Sequence, residues 1–367
     1  MEEKYKKEWE ECRNRELSAL LSILSKLGFE IEKEQPHMGG ERYLMQAVTT
    51  TSGKKLILIG KRKNDGKRVV IKATSDKDGI RELEHERVCR NVLQKINFAY
   101  KTFLSPEEIL FVKKDRYLIS IQEFVAQDKT FLEHTIKEQF GLTIKAFEAQ
   151  EGAHATAYSH MGLVKKNFGS IDAEGYLKNF NSFKNKILES RDNENLRPLL
   201  EKAERELIKK KEIIEQYSRF LTHVDFVPHN IRVVGENIYL LDHSSFRFGN
   251  KYEGWARFCN FMILYNPHLE RALVKYVAEN RTEEESIALY LMRIYRLGEI
   301  IWYYVSILDK SYGNLLTLNQ KRVEFWSKIL EYLLSRASAP DSFIEEYKKT
   351  RDSLRSADEK KRQLGLH

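Results

Sequence analysis

The feature that most constrains this chain is the stretch Phe220 to Asp242, FLTHVDFVPHNIRVVGENIYLLD. It sets His223, Asp225 and Asn230 in the order H-x-D-x-x-x-x-N and closes, after an apolar run, on a second aspartate, Asp242. This spacing asks for a tight loop between short strands. Leu221 and Thr222 lead in, residues 231–234 leave as a strand, Gly235-Glu-Asn237 makes a hairpin turn, and residues 238–241 return. Asp225, Asn230 and Asp242 then converge at one mouth. One aspartate there can take a proton from an attacking hydroxyl, while an asparagine and a second aspartate supply hard oxygen ligands for magnesium. An ordinary hairpin with solvated acids satisfies the short motif as well, so the rest of the chain has to decide.

The N-terminal third supplies further parts. Residues 1–27 read as a charged helix that becomes amphipathic from Leu17, with Leu20, Leu21, Leu24 and Leu27 at helical spacing. Residues 41–73 read as three antiparallel strands: 42–48, 56–59 and 69–73. A polar Thr-Thr-Thr-Ser-Gly loop lies between the first two, and a strong Asn64-Asp-Gly66 turn between the others. Thr51, Ser52 and Gly53 of that loop are candidate phosphate contacts through backbone N–H and hydroxyl groups. A plain hairpin turn reads equally well.

Lys72 is a lone lysine ending an apolar strand, V-V-I-K. The helix expected over 79–96 carries Glu82, Glu84 and Glu86 near its start. Glu86 stands three residues after Leu83 and three before Cys89, so it is the acid expected on their inward face. Glu82, one turn earlier, is the rival. Two more strands, 108–112 and 116–124, complete a small sheet. After residue 126 the pattern turns helical, over 132–150, 171–189, 196–217, 253–264, 267–278, 319–335 and 340–362. The box Thr282-Glu-Glu-Glu285 opens another helix reaching Leu308.

Composition sets limits. The chain has 367 residues, 42% of them hydrophobic and 32% charged, enough for two lobes with a sizeable core. Cys12, Cys89 and Cys259 lie far apart without metal-ligand spacing and read as reduced cytosolic thiols. The charged start MEEKYKKEWEEC is no signal peptide, which points to a cytoplasmic protein. The apolar run 287–308 contains Arg293, Arg296 and Glu299, so a buried helix is expected, not a membrane span. Net charge is +8, and residues 348–367 hold seven Lys/Arg against three Asp/Glu. That tail reads as solvated helix ends more than as a nucleic-acid surface.

Strands, Lys72, an acidic helix, a hinge and then helices around H-x-D-x-x-x-x-N and Asp242: this order resembles the protein-kinase-like fold. Within it, H-V-D-F-V-P-H-N followed by L-L-D-H looks most like the aminoglycoside phosphotransferase and choline kinase branch, over roughly residues 40–300. The resemblance implies an α+β, two-lobed protein-kinase-like fold with a small antiparallel five-stranded N-lobe and a mostly helical C-lobe. The expected divisions are an N-terminal helical extension 1–40, an N-lobe 41–125, a C-lobe 126–345 and a charged tail 346–367. It implies ATP and Mg2+ as cofactors. Asp225 would be the catalytic base, Asn230 and Asp242 the metal ligands, and His223 a brace for the loop. Lys72, held by Glu86, would contact the α- and β-phosphates, and Glu123 and Val125 would meet adenine at the hinge.

Four departures from the pattern matter. Val224 stands where glycine is usual, His243-Ser-Ser follows Asp242, no arginine precedes Asp225, and there is no D-F-G or A-P-E. The first two depart from the aminoglycoside phosphotransferase pattern itself; the last two, the missing arginine above all, favour a small-molecule hydroxyl as acceptor over a protein. Glu253, Glu270 and Glu299 could meet a cationic acceptor, although surface or salt-bridge roles are the simpler reading for each. The alternatives are a pseudokinase that binds nucleotide or a partner without transfer, an atypical protein kinase, and a nucleic-acid-associated protein that uses its basic tail. Acceptor identity and oligomeric state are not readable in the residues.

Overall fold

The computed structural model describes residues 2–35, 55–96, 103–154, 160–189, 191–235, 237–357 and 359–360. The expected strand 42–48 and the candidate contacts Thr51, Ser52 and Gly53 lie outside these described residues. The chain opens with helix α1 (Glu2–Lys26), followed by β1 (Phe29–Ile31), β2 (Leu56–Arg62) and β3 (Arg68–Thr74). Helix α2 (Lys77–Lys95), β4 (Glu108–Lys114) and β5 (Tyr117–Glu123) complete the N-terminal part. The five strands form one antiparallel sheet in the order β1-β2-β3-β5-β4.

The sheet differs from the sequence expectation at its edge. Its described edge strand is Phe29–Ile31, inside the segment read as a purely helical extension. Gly28, at φ +86°, lets the chain turn from helix to strand without steric cost. Gly60 then admits the new edge, because a Cβ there would lie 2.5 Å from the Glu30 carbonyl oxygen. Helix α1 belongs to this lobe physically. Leu20, Ile23 and Leu24 pack on Leu58, Val69, Ile71, Ile119 and Ile121 in one closed cluster. Leu21, read as part of the apolar stripe, is instead 43% exposed, and Ile23 takes its place.

Alternation along β3 separates two faces. Val69, Ile71 and Ala73 enter the α1 core, while Val70 and Lys72 point the other way, level with Ile57 and Ser120 of the flanking strands. Asp76 caps α2 by accepting from the N–H groups of Asp78 and Gly79.

The remainder is mostly helical. Helices α3 (Ile136–His154), α4 (Met161–Phe168) and α5 (Ala173–Leu188) come first. The stretch expected as one helix over 196–217 is two, α6 (Arg197–Lys209) and α7 (Lys211–Gln216). The break falls at Lys210, between the buried Leu207 and Ile214, in the charged run Lys209-Lys210-Lys211-Glu212. Then come the short strands β6 (Phe220–His223), β7 (Ile231–Val234), β8 (Asn237–Leu240) and β9 (Phe246–Gly249). Helices α8 (Glu253–Tyr265), α9 (Pro267–Asn280), α10 (Glu283–Ser306), α11 (Gly313–Leu334) and α12 (Asp341–Leu354) finish it. Helix α12 stops short of the expected 362 because Arg355 turns extended. Thr282 and Glu285 form the capping box of α10, whose Ala288–Gly298 segment is wholly buried. No helix among the described residues is long and apolar enough to cross a membrane.

Candidate active site

Hairpin β7–β8 and the pair β6–β9 carry the site. Register Ile231↔Leu240 brings the two ends of the hairpin level, and the Leu241 N–H donates to the Asn230 carbonyl at 2.8 Å. Asn230 and Asp242 are therefore neighbours at one mouth. The Val224 N–H donates to the Ser245 carbonyl at 2.9 Å, tying the loop after β6 to the turn after Asp242. Asn230 reaches back as well, its Nδ2 donating to both the carbonyl and the Oδ2 of Asp225 at 2.9 Å.

His223 sits fully buried at the centre. Its Nε2 lies 3.0 Å from the Asp242 carbonyl and 3.2 Å from that of Leu241. Two acceptors on one nitrogen require that nitrogen to carry the hydrogen. Burial lowers the His223 pKa, the charges of Asp242 and Asp225 oppose it, and the net shift is downward. A neutral imidazole thus pins the turn that carries Asp242.

Asp242 adopts the left-handed conformation, φ 54° and ψ 61°, which aims its carboxylate away from the strand it ends. Ser244 Oγ donates to Oδ1 at 2.6 Å and Ser245 Oγ to Oδ2 at 2.8 Å. Burial pushes this carboxyl upward, but Lys72, the Ser244 hydroxyl, His223 and Lys55 outweigh it and hold the group well below the usual carboxylate range.

Lys72 forms an ion pair with the buried Glu86 of α2. Glu82, one turn earlier, takes a second lysine, Lys55, in a parallel pair. Lys55 was not singled out by sequence reasoning. A charged residue beside a Gly-Lys loop gives no signal until strand register sets it near Asp242.

Arg257 of α8 was missed as well. Its Nε donates to Asp225 Oδ1 at 3.0 Å. Burial raises the Asp225 pKa, Arg257 and His223 lower it, and the balance leaves it below the ordinary carboxylate value. An arginine 32 residues downstream on a helix has no spacing signature, so only the fold exposes it.

At the hinge, the Glu123 N–H donates to the Glu107 carbonyl and the Phe124 N–H to the Arg68 carbonyl. Val125, the second residue past β5, is half-buried, and its N–H has no hydrogen bond among the described residues.

No family model and no curated protein matches the chain. Solved structures do. A thermostable mutant of aminoglycoside phosphotransferase APH(4)-Ia, in ternary complex with AMP-PNP and hygromycin B, matches at 15% identity and TM-score 0.55, covering 78% of this chain and 94% of that one. A macrolide 2'-phosphotransferase type I matches at 12% and 0.55, with 84% and 96% covered. The GDP complex of an aminoglycoside 2'-phosphotransferase-IIIa mutant matches at 11% and 0.56, with 76% and 88% covered.

This chain has the protein-kinase-like fold of the aminoglycoside phosphotransferases. In this chain the five-stranded sheet carries Lys72, and the segments that lead into and out of hairpin β7–β8 carry Asp225, Asn230 and Asp242.

The donor set can be tested against magnesium. Asp242 is held ionised, and among the described residues its oxygens accept hydrogen bonds from serine hydroxyls only. Asn230 turns its amide nitrogen to Asp225, which leaves its amide oxygen for a cation. Magnesium takes one or two protein ligands and keeps its other positions for water and phosphate, which a pair made of the Asp242 carboxylate and the Asn230 amide oxygen fits.

Glu253, Glu270 and Glu299 are engaged with arginines. Glu253, with no exposed surface, accepts from Arg247 Nε at 2.9 Å, Arg296 Nη1 at 3.3 Å and the Tyr176 hydroxyl at 2.7 Å. Glu270 pairs with Arg293 at 2.5 Å and Glu299 with Arg296 at 2.7 Å.

Proposed function

We propose that this chain is an ATP- and magnesium-dependent phosphotransferase that moves the γ-phosphoryl group of ATP to a hydroxyl of a small molecule. One observation carries the reading. Asp225, Asn230 and Asp242 are tied into a single mouth by hydrogen bonds of 2.8–2.9 Å and by His223, and Lys72 is the strongest charge acting on Asp242. A phosphoryl group in transfer carries spread negative charge, so such a site needs cations and positioning more than covalent chemistry.

Each residue then has a role. Asp225 orients the acceptor hydroxyl and takes its proton late, as the new P–O bond forms. Because Asn230 and Arg257 each hold one of its oxygens, the carboxylate is fixed in place before the acceptor arrives. Lys72, steadied by Glu86, holds the α- and β-phosphates. Lys55 adds positive charge on the same side. The Glu123 carbonyl and the Val125 N–H meet the adenine edge. Asn230 and Asp242 would hold the magnesium, which supplies charge neutralisation on the β- and γ-phosphate oxygens. His223 keeps the loop in register.

The experiment is Mg-ATP turnover, measured as ADP released with and without acceptor. Asp225→Ala should lower the rate about 1,000-fold or more while nucleotide still binds. Unchanged turnover in that variant would end the assignment. Nucleotide binding without any turnover in the natural chain would instead favour a pseudokinase.

A further inference from the structure

Glu253, Glu270 and Glu299, the acids that could have met a cationic acceptor, are each paired with arginine. The surface beside the base has a different character. Along α8, residues 252–263 are buried except for Arg257 and Phe261, and Leu264 and Tyr265 follow them partly open. These four stand at i, i+4, i+7 and i+8, which is one helical face, and its first member touches Asp225.

Phe261 and Tyr265 are stacked, with ring centroids 4.2 Å apart and planes 4° from parallel. His229, from the catalytic loop, stands edge-on to Phe261 at 5.0 Å and 85°. Among the described residues Arg257 is engaged only through Nε, so its terminal nitrogens remain as donors. The stripe joins a cation next to the base with an aromatic wall that extends away from it, and it contains no carboxylate. Eight residues at 1.5 Å rise give it a length of about 12 Å, the span of a nucleoside-sized molecule.

We propose that Arg257, Phe261, Tyr265 and His229 form the acceptor subsite, and that it takes an uncharged alcohol carrying a flat ring, not a polycationic aminocyclitol. This rests on the phosphotransferase reading above. The acceptor hydroxyl lies at Asp225, its polar oxygens meet the free Arg257 nitrogens, and its ring packs on the aromatic wall. An ammonium group in that place would face Arg257 without a counter-charge on the stripe. In the transfer, the acceptor oxygen forms a bond to the γ-phosphorus as the bond to the β-γ bridging oxygen breaks. The leaving group is ADP, and the acceptor proton goes to Asp225.

The test uses the full chain with Mg-ATP and two acceptor sets: uridine, inosine and the aryl glucoside salicin against hygromycin B and kanamycin. The expected result is turnover of at least one flat alcohol with a kcat/KM at least tenfold above either aminoglycoside. Phe261→Ala and Tyr265→Ala should each raise the KM for that alcohol about tenfold, with the KM for ATP unchanged. Phe261→Tyr should restore most of the loss. Three results overturn the proposal: preference for an aminoglycoside, an acceptor KM indifferent to both alanine variants, or no flat alcohol used by a chain whose Mg-ATP hydrolysis depends on Asp225. Absence of both nucleotide binding and Asp225-dependent hydrolysis strikes the phosphotransferase reading instead.

Discussion

At the scale of single residues, the contact with most consequence is the one between Arg257 and Asp225. A general base gains nothing in proton affinity from an adjacent guanidinium, which depresses its pKa. What it gains is a fixed orientation, since the Arg257 Nε holds one of its oxygens. In the proposed role Asp225 works deprotonated, so activity would fall as pH drops through its pKa. Arg257→Met removes a lowering influence, so that pKa rises and the acid limb of the kcat/KM profile moves to higher pH. The plateau should fall as well, because the carboxylate is less well held. An acid limb that stays in place would show that Arg257 does not govern the base. Neither the arginine nor its effect could be read from residues 220–242, since the partner comes from a separate helix.

At the scale of elements, the N-terminal sheet shows how a glycine decides topology. Residues 29–31 are a short strand with no strong alternation. They pair because Gly60 leaves room for the Glu30 carbonyl and because α1 covers the same face of the sheet with Leu20, Ile23 and Leu24. Gly60→Ala forces a Cβ to within 2.5 Å of that oxygen. The expected cost is about 1–3 kcal/mol, read as a lower midpoint in urea unfolding of the full chain. An unchanged midpoint would mean that the edge strand gives way freely. Helix α2 makes the contrasting case. Its inward face was legible as Leu83, Glu86 and Cys89 at three-residue spacing, and all three are buried. The second lysine–glutamate pair, Lys55 with Glu82, was not legible, because nothing in local spacing distinguishes a glutamate awaiting a lysine from one facing water.

At the scale of the whole molecule, the described residues form two hydrophobic clusters. One lies between α1 and the sheet, and a much larger one runs through the helical part and the hairpin. The lysines belong to the first part and the acids Asp225 and Asp242 to the second, so a nucleotide and a divalent cation joining them would couple the two. Mg-ATP at about a hundred times its dissociation constant should stabilise the fold by about 2.7 kcal/mol, seen as a rise in thermal midpoint. EDTA should remove most of that rise and all of the turnover. Equal stabilisation by ATP with and without magnesium would remove Asn230 and Asp242 as the cation site.

Much of this molecule followed from local chemistry. Hairpin residues 231–241, the V-V-I-K strand and the Thr282 capping box lie in short stretches whose turn residues and alternation leave few conformations open. Their positions could therefore be read directly. The α+β architecture with a five-stranded sheet was expected from the resemblance of the motifs, and the sheet is there, with residues 29–31 as its described edge. Tertiary structure alone decided the pairings between distant segments: the β1 edge at residues 29–31, the arginines that absorb Glu253, Glu270 and Glu299, and Arg257 on Asp225. The physical reason is the range of the forces. Turn preference and side-chain periodicity act over a few residues, so they leave a record in the order of the chain. A charge finds its partner only when packing brings two surfaces together and removes the water between them.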